Sequence, residues 1–131
     1  MILLDTSALV DSLTGSRRSE PVLKAALGRG DRLGLPVLVL YEWLRGPRTL
    51  RELEVQEILF PPEAILAFET PDARLSARLY SSLPRARSRE FDLAIAAIAI
   101  RHDAQLWTLN TSDFADIPQL HLFGGAESNG R

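Results

Sequence analysis

Eight consecutive apolar residues follow Asp92: positions 93–100 read Leu-Ala-Ile-Ala-Ala-Ile-Ala-Ile. With Glu90 and Asp92 before the run and Arg101 and His102 after it, the pattern predicts a helix over 90–102 that is apolar on nearly every side. Such a helix has to be covered by other layers of the same molecule. It is far too short for the ~20 residues that cross a bilayer. A chain of 131 residues has room for one domain, so the covering layers must come from the remaining segments of that domain.

Those segments alternate. Residues 1–4 are a short apolar run suited to a buried strand, and Asp5-Thr6-Ser7 can cap a helix running to about Leu13. Pro21 opens a helix that ends near Gly28, and 32–35 reads as a strand. Pro36 opens a second helical stretch over 37–44, stopped by Gly46-Pro47. Thr49 caps a third over 50–59, stopped by Pro61-Pro62. Residues 64–68 read as a strand, Thr70-Pro71 opens a helix with Leu75, Leu79 and Leu83 in register, and 84–89 is a basic loop. After the apolar helix come a strand at 105–109, a helical turn at 112–115 and a strand at 119–123. Strands alternating with helices predict an α/β domain over 1–123 with a mainly parallel sheet covered on both faces. Residues 124–131 read as a polar, frayed tail.

The sheet type says where to look for chemistry, because sites in such folds form beyond the carboxyl ends of the strands. Asp5 follows the first strand, and Asn110 and Asp113 follow the strand at 105–109. Each aspartate can equally be a helix cap. Glu42 is the only charge between Leu33 and Leu44, set among Val39, Leu40, Trp43 and Leu44. It is either on a thin exposed stripe or held by a partner. Asp92 starts the apolar helix, where the helix dipole favours an anion. It is either a capping residue or a carboxylate delivered into a pocket.

Cysteine is absent and only His102 and His121 are available as imidazoles, so thiol chemistry and sulfur- or histidine-rich metal sites are excluded. Separated carboxylates without such neighbours suit a hard cation, Mg²⁺ or Mn²⁺. A net charge of −2 argues against coating nucleic acid by bulk charge. Every basic residue but Lys24 is arginine, the better side chain for gripping phosphate. Arg85, Arg87 and Arg89 lie beside Asp92, and Arg45, Arg48 and Arg51 flank Glu42. They either guide a phosphate chain or pair with nearby glutamates. Tyr41, Trp43, Tyr80 and Trp107 either stack bases or belong to the core. Asp11, Asp103 and Asp116 read as surface or capping residues.

Four segments together resemble a known family. Met1-Ile2-Leu3-Leu4-Asp5-Thr6-Ser7-Ala8-Leu9, Tyr41-Glu42-Trp43-Leu44-Arg45-Gly46, Phe91-Asp92-Leu93-Ala94-Ile95-Ala96-Ala97 and Thr108-Leu109-Asn110-Thr111-Ser112-Asp113-Phe114 are similar, in order, to the motifs of PIN-domain ribonucleases, in particular VapC-like toxins of VapBC toxin–antitoxin modules. The resemblance implies a PIN-like three-layer α/β/α sandwich. It implies that Asp5, Glu42, Asp92 and Asp113 are the catalytic, metal-binding carboxylates, holding Mg²⁺ or Mn²⁺, and that Thr6, Ser7, Thr108 and Asn110 support them or touch substrate. It also implies hydrolysis of RNA to a 5′-phosphate and a 3′-hydroxyl, a cognate antitoxin, homodimers and a cytoplasmic location away from the membrane. A housekeeping nuclease of RNA processing or DNA repair, and a non-catalytic interaction domain, are the alternatives. Asn110 stands where some relatives carry aspartate, and the loop before Asp92 lacks the glycine that relatives often have.

Overall fold

The computed structural model describes residues 1–124. The expected tail at 124–131 lies outside them apart from Gly124. The chain order is β1 (Ile2–Leu4), α1 (Thr6–Leu13), α2 (Glu20–Gly28), β2 (Leu33–Pro36), α3 (Val37–Arg45), α4 (Leu50–Leu59), β3 (Ile65–Leu66), α5 (Thr70–Ser82), α6 (Glu90–Arg101), β4 (Gln105–Trp107) and β5 (His121–Leu122). The five strands lie in the order β3-β2-β1-β4-β5. Every neighbouring pair is parallel.

This order follows from burial. The three residues of β1 are all buried, so the strand needs neighbours on both edges and helices on both faces. It pairs with β2 through Ile2–Leu33 and Leu3–Gly34, and with β4 through Ile2–Gln105, Leu3–Leu106 and Leu4–Trp107. Helix α1 packs on α2, α3 and α4, while α5 packs on α6. Right-handed crossovers place the first set on one face and the second on the other, giving the expected three layers. In α6, Leu93, Ile95, Ala96, Ala97, Ile98 and Ala99 are all buried, as the apolar run requires. The chain leaves β1 toward β2 and β3 and returns to the other side at β4, so the strand order reverses between β1 and β4. In open parallel sheets such a reversal marks the crevice, at the strands' carboxyl ends, where sites form.

Several boundaries differ from expectation. The strands are shorter: β3 has two residues where 64–68 was expected, since it sits on the sheet edge and pairs only through Leu35–Ile65 and Pro36–Leu66. Strand β4 stops at Trp107, because Thr108 turns its hydroxyl into the crevice. Thr70-Pro71 opens α5 as expected, and Glu69 caps it in a reciprocal box with Asp72. Asp72 is fully buried and its carboxylate accepts from the Arg101 guanidinium at 2.5 and 2.9 Å, tying the start of α5 to the end of α6. Thr49 caps α4 as expected, paired with Glu52. Among the described residues, no helix is long and apolar enough to cross a membrane.

Gly34 is dictated by a close approach. A Cβ there would stand 3.0 Å from Leu3 Cδ2 and 3.2 Å from the Ala64 carbonyl oxygen. Leu3 is fully buried and cannot swing away. Gly34→Ala is therefore expected to destabilise the fold by about 1–3 kcal/mol, the usual cost of overpacking. Equilibrium denaturation measures it, and an unchanged midpoint would show that the two strands can separate freely.

Candidate active site

Asp5 is the first residue beyond β1 and its backbone N–H donates to the Trp107 carbonyl at 2.8 Å, which locks it to β4 at the strand-order reversal. It occupies the N-cap position of α1, yet its side chain makes no capping hydrogen bond. Instead the buried carboxylate accepts from the Thr108 hydroxyl at 2.8 Å and from the Ser7 hydroxyl at 3.2 Å. The backbone N–H of Leu109 donates to Ser7 Oγ at 2.9 Å and that of Asn110 to Thr108 Oγ1 at 3.0 Å. These donors orient the carboxylate without neutralising it. Asn110 contributes through its backbone.

Glu42 lies on α3, which starts directly after β2 and so aims at the same end of the sheet. Thr6 donates its hydroxyl to Glu42 Oε1, and the Arg45 guanidinium stands 3.7 Å from the other oxygen. Glu42 is thus held by partners rather than left on a solvent stripe.

Asp92 enters from the opposite layer, in the first turn of α6, and makes no capping bond. Its pKa is pushed up from 3.8 to about 6, first by burial and then by the negative charges of Asp5, Asp113 and Glu42, with Arg89 pulling the other way. The four separated acidic residues therefore share one electrostatic field. Asp113 reaches it from an exposed 3₁₀ turn, Thr111–Asp113, just past β4. Among the described residues no three acidic or histidine side chains gather closely enough to form a ready coordination sphere. The group is a field of carboxylates around a crevice, not a closed cage.

Sequence reasoning missed the pair that holds this arrangement from behind. Arg89, placed among the strand-guiding arginines, is buried. It is bidentate to Asp116 at 2.5 and 3.0 Å and donates to the carbonyl oxygens of Asp113 at 3.0 Å and Pro84 at 3.2 Å. One side chain thus joins the start of α6, which carries Asp92, to the turn that carries Asp113. Asp116 is an exposed surface residue, as expected, and its carboxylate forms the outer half of this bridge. No local pattern signals a pair 27 residues apart. Arg48 is also committed: it lies 4.2 Å over the Trp43 ring and donates to the Trp43 carbonyl at 2.9 Å. Asp11 is a surface residue as expected, bound to Arg18 and Ser19. In the glycine-free loop before Asp92, Arg85 takes the left-handed backbone itself, with φ +54°.

The raised pKa of Asp92 has a sign that can be measured. The folded state resists its ionisation, so the group's contribution to stability is full below about pH 4 and is lost as the pH rises through about 6. Asp92→Asn removes a repelled charge. It is expected to raise the melting temperature at pH 8 by roughly 3–6 °C, the shift that ~1 kcal/mol produces in a domain of this size. The gain should vanish near pH 4. Parent and variant melting together at pH 8 would contradict the mutual repulsion.

The model of the PIN domain family matches residues 2–120 of this chain. Ribonuclease VapC19 of Mycobacterium tuberculosis is 33% identical over 123 residues, covering 92% of this chain and 97% of the relative. Among solved structures, a toxin–antitoxin complex from Klebsiella pneumoniae superposes with a TM-score of 0.72 at 26% identity, covering 92% of this chain and 95% of that one. VapBC2 from Rickettsia felis, bound to a DNA fragment from its promoter, superposes with a TM-score of 0.72 at 22% identity, covering 93% and 97%, and shares the fold. Strand order, crevice and motif positions thus agree with the family match over nearly the whole chain, which belongs to the PIN domain family.

Proposed function

We propose that this protein is a divalent-metal-dependent endoribonuclease and the toxin of a toxin–antitoxin pair. What supports the reading is that Asp5, Asp113 and Glu42 all bear electrostatically on Asp92, which stands at the start of α6, within a PIN-family fold. A relative 33% identical over nearly the full length is a ribonuclease, and a structural neighbour at 26% identity comes from a toxin–antitoxin complex.

The donor set fits Mg²⁺ or Mn²⁺. It offers only oxygen, carries an excess of negative charge, and is open enough for an ion that keeps several of its waters. Asp5, Asp92 and Asp113 would hold it. A bound divalent ion supplies an acidified water and neutralises charge on a scissile phosphate. The chain's own groups do the rest. Thr108 and Ser7 hold Asp5 in one orientation, so its oxygens need not reorganise on binding. Glu42, fixed by Thr6 and Arg45, is placed to orient the attacking water and accept its proton. Water oxygen bonds to phosphorus as the bond to the 3′-oxygen breaks, leaving a 5′-phosphate and a 3′-hydroxyl. Without the ion, four carboxylates repel a phosphodiester.

This reading places the protein in the cytoplasm, with a cognate antitoxin and a second copy of itself as partners. An open, mainly apolar groove of about 560 Å³, with Leu40 and Leu44 of α3, Gln56 and Glu57 of α4, and Phe60 and Ile65 in its lining, supports a protein–protein contact on that side.

The test is incubation of purified protein with small structured RNAs. Cleavage is expected with Mg²⁺, is abolished by EDTA, and falls by about a hundredfold or more in Asp5→Asn and in Asp92→Asn, as loss of a metal-held charge implies. Cleavage that persists in EDTA or in both variants would overturn the mechanism. Finding a short neighbouring gene for a DNA-binding protein would favour the toxin role over housekeeping, and its absence would favour housekeeping.

A further inference from the structure

Resting on the nuclease reading, we propose that Tyr41 and Phe91 form a subsite that stacks an unpaired base of single-stranded RNA beside the scissile position, with Arg45 and Arg87 holding the adjoining phosphate. The structure sorts the aromatic residues. Trp43 and Trp107 are buried in the core, whereas Tyr41 and Phe91 are 53% and 39% exposed. Tyr80 is exposed too, but it lies on α5, in a separate depression lined by Ser76, Ala77 and Ser81 with Glu90 and Leu93 of α6, and it adjoins no site carboxylate in the chain. Tyr41 and Phe91 each stand one residue before a site carboxylate, Glu42 and Asp92. Helices α3 and α6 pack together, which brings the rings to 6.2 Å between centroids at an angle of 51°. Tilted this way they do not cover one another, and ring surface remains for a third planar group. The Arg45 guanidinium lies over one side of the Tyr41 ring, 5.1 Å from its centroid, so a base would stack on the ring surface that remains.

Next to the rings is a cleft of about 280 Å³ lined by Glu42, Arg45, Arg87, Ser88, Glu90 and Phe91, close to the lower end of the ligand-site range. Two arginines and two glutamates leave its rim formally neutral. Bulk charge therefore does not select the occupant; the π faces do. A duplex hides its base faces by stacking, and only an unpaired base can present one. Stacking tolerates any base, so this subsite would select single-stranded character more than sequence.

The experiment compares Tyr41→Ala and Phe91→Ala with Tyr41→Phe and Phe91→Tyr. Affinity for a labelled single-stranded oligoribonucleotide is measured in an Asp5→Asn background with Mg²⁺, and steady-state cleavage in the otherwise unaltered protein. Each alanine variant should bind roughly ten- to a hundredfold more weakly. The loss should fall in KM rather than kcat. The aromatic replacements should restore binding and melt like the parent, whereas the alanine variants lose the Tyr41–Phe91 contact and should melt slightly lower while staying folded. Arg87→Ala should lower the salt dependence of binding by about 0.7 in the log–log slope. If the parent cleaves RNA while the alanine variants keep its KM and affinity, the subsite is overturned and the nuclease reading stands. If the parent neither binds nor cleaves RNA, the nuclease reading falls and the subsite with it. Loss confined to binding a polypeptide, with RNA affinity unchanged, also overturns the subsite.

Discussion

Helix α6 has almost no free side, and that constraint organises the rest. Its residues 95–99 are all buried between the sheet and α5. The helix cannot rotate or slide without exposing apolar surface, at a cost of ~25 cal/mol per Å². Asp92 therefore cannot withdraw from Asp5, Asp113 and Glu42, although their charges disfavour its ionisation. In an exposed helix the same repulsion would be relieved by a small tilt. Here packing energy outweighs it, and the crevice stays electrically frustrated.

The molecule handles two kinds of charge differently within a few ångströms. Arg89 and Asp116 neutralise one another through two hydrogen bonds, and Arg89 spends its remaining donors on the backbone of Asp113 and Pro84. That pair is structural and leaves no net charge. The crevice carboxylates are instead held by hydroxyls: Thr6 on Glu42, and Ser7 and Thr108 on Asp5. A hydroxyl orients a carboxylate and leaves its formal charge intact. Arg45 stands 3.7 Å from Glu42, with more than half of its side chain in water. An ion pair so exposed contributes little. Orientation without neutralisation suits a site that awaits a cation.

Much of this was legible in the sequence, for physical reasons. The apolar run after Asp92 is long and regular, and burial followed from it directly. Strand ends in a parallel sheet point to one edge, so Asp5 and the 108–113 segment could meet if their strands were neighbours, and the β1–β4 pairing supplies that condition. The sequence was silent where the outcome depends on distant partners. Whether an arginine meets solvent or an aspartate 27 residues away is decided by tertiary packing. Arg89, Arg48 and Arg87, alike in the sequence, end as a buried bridge, a cover for Trp43 and a cleft residue. Strand lengths were overread because β-type residues continue past the point where pairing ends. At Thr108 the ladder stops so that the side chain can turn toward Asp5.

The same logic accounts for the loop before Asp92. A glycine would enter the left-handed region freely, whereas Arg85 does so at a cost of about 1–2 kcal/mol. That cost is tolerated because the turn is fastened from both ends. Its chain leaves α5 under Leu79, whose carbonyl accepts from Leu83, and it meets α6 at Arg89, whose side chain grips Pro84, Asp113 and Asp116. A flexible glycine turn would leave the start of α6 less constrained. Asp92 would then have a route to relax away from its neighbours. The strained turn, the buried bridge and the covered helix therefore act in one direction. All three keep a carboxylate where electrostatics alone would not leave it.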